Sequence, residues 1–146
     1  MQKVDLVYMW VDGNDPEWQA KRNQYVGGSA NQSQEVVGAA RWRDNDELRF
    51  SLRSVEKYAP WINHIYIVTD HQSPAWLNTN HPKISIIDHK EILPKEALPT
   101  FNSCAIEGCI HRIPGLNEHF ILGNDDTMFV KPTTCDTFFV DSAPIV

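Results

Sequence analysis

The chain has 146 residues, with 13 Lys and Arg against 19 Asp and Glu for a net charge of −6. Hydrophobic residues make up 42% and aromatics 10%, enough to pack one domain and too much for a wholly disordered chain. The acidic balance argues against a nucleic-acid partner, although a bound divalent cation can reverse the local field and admit a phosphate ligand.

No run approaches the roughly 18 apolar residues of a membrane helix. The opening stretch, MQKVDLVYMWVDGNDPEW, has acids too early and an apolar run too short for a signal peptide. Cys104, Cys109 and Cys135 are an odd set without CxxC spacing, which argues against a disulfide framework or a structural zinc site. The expectation, absent an unseen anchor, is a soluble protein from a reducing compartment, cytoplasmic or peripheral to a membrane.

Residues 4–11, VDLVYMWV, read as a strand covered on both faces. The turn residues Asp12-Gly13-Asn14-Asp15-Pro16 stop it, and a helix is expected over 17–25 after Pro16. Residues 26–40 are small, polar and Gly-rich, and read as a long mobile loop of the lid or binding type. Asp44 followed by Glu47 predicts a capping box opening a helix, with Leu48, Leu52, Val55 and Ala59 as its apolar stripe and Pro60 as its stop. Strands are expected at 64–69 and 84–87, a helix at about 102–112 and a fourth strand at 119–122. This alternation predicts a single α/β domain over 1–146 with a mainly parallel sheet and flanking helices. Each strand ends in acids: Asp12, Asp70, Asp88, and Asp125 with Asp126. Parallel strands would bring these acids to one edge, where open α/β sheets bind ligands.

The Asn124-Asp125-Asp126 cluster is the sharpest feature. Adjacent carboxylates at a strand end suit a hard cation such as Mg²⁺ holding phosphates; the alternative is a solvated acidic turn. Trp10 offers a stacking face and Asp12 or Asp15 a partner for a ribose or base, against the alternative of a core Trp and an ordinary turn. Arg41, Arg43, Arg49 and Arg53 concentrate positive charge and match phosphate oxygens, or form surface ion pairs such as Asp46 with Arg49. Ser103, Glu107 and His111 share one stripe of the expected helix, with Glu107 placed to orient His111 for proton transfer, or simply form a solvated face.

Four segments together, MWVDGNDPEW, RWRDNDELRFSLRSVEKYAPWINHIYIVTD, LPTFNSCAIEGCIHRIPGL and NDDTMFVKP, resemble the Stealth family over nearly the whole chain and in the same order. That family contains bacterial capsular and exopolysaccharide phosphotransferases and the animal N-acetylglucosamine-1-phosphotransferase. The resemblance implies a domain similar to GT-A nucleotide-sugar transferases. It also implies transfer of a hexose-1-phosphate from a UDP-sugar to a hydroxyl of a polysaccharide or glycan acceptor. It places Mg²⁺ or Mn²⁺ on Asp125 and Asp126. Trp10, Asp12, Asp15 and Arg49 fall to donor binding, and Arg43, Asp44, Asn102 and His111 to catalysis. Asp5, a charge inside an apolar strand, is either functional or a brace for a neighbouring loop. Gly123 stands where the family has a bulky residue, and two further family blocks are expected beyond this pattern, so the chain corresponds to the N-terminal part of a Stealth catalytic domain. Two other readings stay open: a glycosyltransferase moving the sugar alone, and a non-catalytic nucleotide-sugar module that needs a partner segment.

Overall fold

A computed structural model describes residues 3–26 and 44–145. They divide into two compact units, Met1–Trp10 with Asp46–Val146, and Val11–Asn45. The first unit is built on four strands: β1 (Asp5–Met9), β2 (Ile65–Thr69), β3 (Ile84–Asp88) and β4 (Phe120–Asn124). All pair in parallel, in the order β3-β2-β1-β4. The expected mainly parallel α/β fold is thus present.

Two-residue periodicity sends alternate side chains to two cores. Leu6, Tyr8, Trp10, Ile65 and Ile67 pack on one face with Leu48 and Val55 of helix α2 (Glu47–Tyr58). Val7, Tyr66, Val68 and Ile87 pack on the other with Ile106, Ile110 and Ile113 from the crossover into β4. Both faces of the central strands are covered, which explains why β1 and β2 read as continuous apolar runs.

Asp5 is fully buried in β1. Its Oδ1 accepts from Asn63 Nδ2 at 2.8 Å, and its Oδ2 from the Asn117 backbone N–H at 2.8 Å and Asn117 Nδ2 at 2.7 Å. Three donors offset the cost of burying the charge. This is the bracing role: Asp5 ties the turns that precede β2 and β4 at the amino edge of the sheet, opposite the edge where the acids gather.

Three sequence expectations need correction. Helix α2 opens two residues later than the Asp44–Glu47 box implies: its N-cap is Asp46, in a left-handed conformation (φ 65°), with no side-chain capping bond. The Asp46 carbonyl accepts from the N–H of Arg49 and Phe50, which leaves Glu47 as the first helical residue rather than the closing acid of a box. A complete capping box forms instead at helix α3 (His89–Ile92), where Asp88 Oδ1 accepts from Lys90 N–H and Asp88 N–H donates to Glu91 Oε1. The expected helix over 102–112 is broken: α4 (Ser103–Glu107) ends at Gly108, and Ile110–Arg112 follow as a 3₁₀ turn. The break ends the continuous helical register that the predicted Ser103–Glu107–His111 stripe requires. A short hairpin, β5 (Phe139–Val140) with β6 (Ala143–Pro144), was not signalled; its Phe139 joins the first core cluster and stacks edge-on to His119 at 5.3 Å.

In the second unit, the expected helix is present as α1 (Pro16–Val26), with Pro16 as its first residue. Asp15 Oδ1 caps it, accepting from Glu17 N–H at 2.9 Å. Of the loop expected over 26–40, all but Val26 lies outside the described residues, as do Arg41 and Arg43.

Candidate active site

The strand order reverses at β1. The chain steps outward from β1 to β2 and β3, then crosses back to lay β4 on the other side of β1. The carboxyl ends of β1 and β4 therefore flank the topological switch point, the position at which open α/β sheets form a ligand crevice. β4 runs into Asn124-Asp125-Asp126 there, and β1 runs into Trp10.

The acidic turn is held from three sides. Thr127 closes it, donating its backbone N–H and Oγ1 to the Asn124 carbonyl at 3.1 and 2.7 Å. Ser51 of α2, fully buried, donates from Oγ to the Thr127 carbonyl at 2.5 Å. Tyr8 of β1 meets the same Ser51 Oγ at 2.7 Å. Since the Ser51 proton is committed to Thr127, the Tyr8 hydroxyl is the donor in that contact. Further along, Ser54 Oγ accepts from Phe129 N–H at 2.9 Å, and the Tyr58 carbonyl accepts from Thr133 N–H at 2.8 Å. Ser51, Ser54 and Tyr58 lie on one helical face, so α2 acts as a rail for the segment after the acids. Burial pushes the Tyr8 hydroxyl pKa up, the Ser51 hydrogen bond opposes this, and the Asp125 carboxylate adds to the rise. The Tyr8 hydroxyl is therefore a protonated donor close enough to Asp125 to feel its charge.

Gly123 makes this packing possible. A Cβ there would sit 3.1 Å from Tyr8 Cε1 and 3.4 Å from Leu6 Cδ1. The glycine gives the Tyr8 ring its place over β4.

Asp125 is half-buried and Asp126 exposed. Among the described residues no group of three or more His, Cys, Asp or Glu side chains is arranged to hold a metal ion. Two adjacent carboxylates fit a cation whose remaining ligands are phosphate oxygens and water, the usual habit of Mg²⁺, and do not make an all-protein cage.

The other acids of this edge have structural work. Asp88 caps α3 and also takes the His71 backbone N–H at 3.0 Å and the His71 ring Nδ1. Asp70 is buried at the end of β2. Trp10 is a core residue, 5% exposed, so its ring face is packed against protein. In the second unit, Asp12 Oδ1 accepts from Asn14 N–H at 2.8 Å, Asp15 caps α1, and the Asp44 carbonyl accepts from Asn14 Nδ2 at 3.2 Å. Arg49 lies with its guanidinium 6.0 Å from the Trp76 ring centroid. Asn102, an exposed residue, caps α4 through Oδ1, which accepts from Cys104 N–H. His111 is exposed, late in a crossover that ends at the amino edge where Asn117 holds Asp5.

Sequence reasoning missed Tyr8, Ser51 and Ser54. The available signal was two small hydroxyl side chains interleaved with the apolar stripe of α2, where a purely structural helix carries aliphatics.

Residues 41–145 match the profile described as Stealth protein CR2, conserved region 2, and residues 2–30 match Stealth protein CR1, conserved region 1. The chain belongs to the Stealth family. It is 50% identical over 140 residues to an exopolysaccharide phosphotransferase of Streptomyces coelicolor, covering 95% of this chain and 23% of that protein. It is 44% identical over 141 residues to a capsular polysaccharide phosphotransferase of Streptococcus thermophilus, covering 97% of this chain and 59% of the relative. A third relative, a capsular polysaccharide phosphotransferase of Actinobacillus pleuropneumoniae, is 46% identical over 138 residues, covering 93% of this chain and 38% of its own length. The chain thus spans between about a quarter and three-fifths of these Stealth proteins. No helix among the described residues is long and apolar enough to cross a membrane.

Proposed function

We propose that this Stealth chain carries the donor-binding part of a sugar-1-phosphate transferase of surface polysaccharide synthesis, with a UDP-hexose as donor and a glycan hydroxyl as acceptor. The observation that carries the reading is the pair of carboxylates, Asp125 and Asp126, fixed at the β1/β4 switch point by the Tyr8–Ser51–Thr127 contacts. The printed names of the relatives, phosphotransferases of capsular or exopolysaccharide, support the sugar-phosphate class.

In such a reaction the acceptor oxygen attacks the phosphorus that bears the sugar. The bond from that phosphorus to the bridging oxygen breaks, UMP leaves, and the acceptor loses its proton. Catalysis of this type rests on positioning and charge neutralisation. Mg²⁺ or Mn²⁺ held by Asp125 and Asp126 would neutralise diphosphate charge. The chain's own part is to hold those carboxylates rigidly: Ser51 and Thr127 fix the turn, and Tyr8 supports Ser51. Asn102, exposed at the start of α4, enters the proposal as a further polar group for the donor. Arg43 and Asp44 belong to the same proposal as groups close in sequence to the start of α2; Asp12 and Asp15 enter it as shapers of the turn before α1. His111, exposed late in the crossover, enters the proposal as the candidate base for the acceptor proton.

Calorimetry with a UDP-hexose, with and without Mg²⁺, tests the site. Metal should strengthen donor binding in the wild type, and Asp125→Ala with Asp126→Ala should remove that gain. Equal metal-dependent affinity in both proteins would overturn the assignment. Product analysis separates the competing chemistry: UMP marks sugar-phosphate transfer, whereas UDP marks glycosyl transfer.

A further inference from the structure

A cavity of about 560 Å³ opens between α2 and the β2–β3 side of the sheet. None of Trp10, Asn124, Asp125 or Asp126 lines it. Its floor is apolar, formed by Leu52, Val55, Ile65 and Ile84, and its rim is basic. Arg49, Arg53 and Lys83 face it against a single carboxylate, Glu56, with His81 beside them. Three permanent cations around one concavity stand out in a chain whose net charge is −6.

Among the described residues, no close ion pair cancels these cations. The Arg49–Asp46 contact is 4.0 Å between side chains 42% and 51% exposed, too long and too wet to neutralise the guanidinium. Arg49 lies against the Trp76 ring at 6.0 Å, an arrangement that steadies the guanidinium while leaving its edge N–H groups for an oxyanion. Arg53 is 5.9 Å from the Phe50 ring centroid. Lys83 Nζ donates to the carbonyls of Ile62 at 3.1 Å and Pro60 at 3.4 Å, neutral acceptors that fix its place and leave its charge intact.

We propose that this cavity is a binding site for an aliphatic phosphate monoester, with the alkyl chain on the apolar floor and the phosphate among Arg49, Arg53 and Lys83. The volume lies within the roughly 300–1,000 Å³ of small-molecule pockets. A phosphate monoester carries about −1.5 to −2 charge near neutral pH, a better match to three cations and one acid than a singly charged carboxylate. The site shares Arg49 with the donor-binding residues that the family resemblance implies, and none of the acids at the β1/β4 edge.

Hexyl phosphate is the probe, titrated by calorimetry and followed through the Trp76 indole N–H resonance, assigned with Trp76→Phe. Saturable binding with a Trp76 shift is expected. Inorganic phosphate, which lacks the chain, and hexyl glucoside, which lacks the charge, should each bind about tenfold or more weakly, a difference of about 1.4 kcal/mol. Arg53→Gln with Lys83→Gln should weaken hexyl phosphate by a similar factor, with the melting temperature and UDP-hexose affinity unchanged. The proposal is overturned by non-saturable binding, by equal affinity for hexyl glucoside, or by indifference to the double substitution. Competition between hexyl phosphate and a UDP-hexose would also overturn it, by making the cavity part of the donor site. A response to anionic phosphatidylglycerol vesicles without a response to hexyl phosphate would replace it with a membrane-surface contact.

Discussion

At the scale of single residues, two buried polar groups in β1 have opposite duties. Asp5 belongs to the amino edge and to stability. Its carboxylate satisfies three donors, so Asp5→Ala strands all of them in a closed site. A loss of at least about 3 kcal/mol in urea unfolding is expected, because three charge-assisted hydrogen bonds, each of about 1.5–3 kcal/mol, are removed together. A loss below about 1 kcal/mol would show that water replaces the carboxylate. Tyr8, three residues on, belongs to the carboxyl edge. Its hydroxyl pKa is raised above the ordinary 10.0, first by burial and then by Asp125, with the Ser51 bond opposing. The folded chain thus favours the neutral phenol, while the unfolded chain ionises first. Stability from this group is full below about pH 10 and lost as the pH climbs through the folded value. Tyr8→Phe should flatten part of the alkaline fall in melting temperature; Tyr66, raised in the same direction by burial and Asp5, sustains the remainder. An identical alkaline profile in Tyr8→Phe would refute the assignment. The sequence presented Asp5 as a charge in an apolar run without revealing its partners, because Asn63 and Asn117 lie 58 and 112 residues away. Tyr8 gave no signal at all, since a Tyr in a strand is ordinary.

At the scale of elements, what was legible was what local chemistry decides. Period-two and unbroken apolar runs located the four strands, and Asp15-Pro16 marked the start of α1. What tertiary contacts decide was not legible. Helix α4 ends at Gly108 because Ile110 and Ile113 reach the sheet through a 3₁₀ turn, which no helical repeat predicts. The start of α2 moved from Asp44 to Asp46, since acids at 44, 46 and 47 give several equivalent capping choices. The rail formed by α2 leads to a prediction at this scale. Ser51→Ala leaves the Thr127 carbonyl and the Tyr8 hydroxyl unpaired, and should cost about 1–3 kcal/mol. Ser54→Ala releases the Phe129 N–H instead. In hydrogen exchange, Ser54→Ala should speed the Phe129 amide selectively, leaving β2 amides at wild-type rates. Uniform acceleration across the sheet would mean that the serines serve global packing and not the acidic turn.

At the scale of the whole molecule, these residues form a complete sheet edge with paired acids, yet they correspond to 23–59% of the length of their relatives. β4 is one of the two outer strands of the sheet among the described residues, and Leu122 within it and Met128 and Val130 after it are 41%, 47% and 82% exposed. Apolar exposure of this kind next to a candidate site marks an interaction surface. Donor binding and transition-state stabilisation are separable contributions, and loss of one group aimed at the developing charge costs about 10²–10³-fold in rate. A polypeptide of these 146 residues should therefore fold and bind a UDP-hexose within about tenfold of the affinity of the full-length Streptococcus thermophilus relative, while releasing UMP at least about 10²-fold more slowly. Joining it to the segments of that relative outside the match should restore turnover far more than donor affinity. Turnover by the 146 residues equal to that of the full-length relative would defeat the prediction, and would make the acids at the β1/β4 edge, with the residues that hold them, a sufficient catalytic centre.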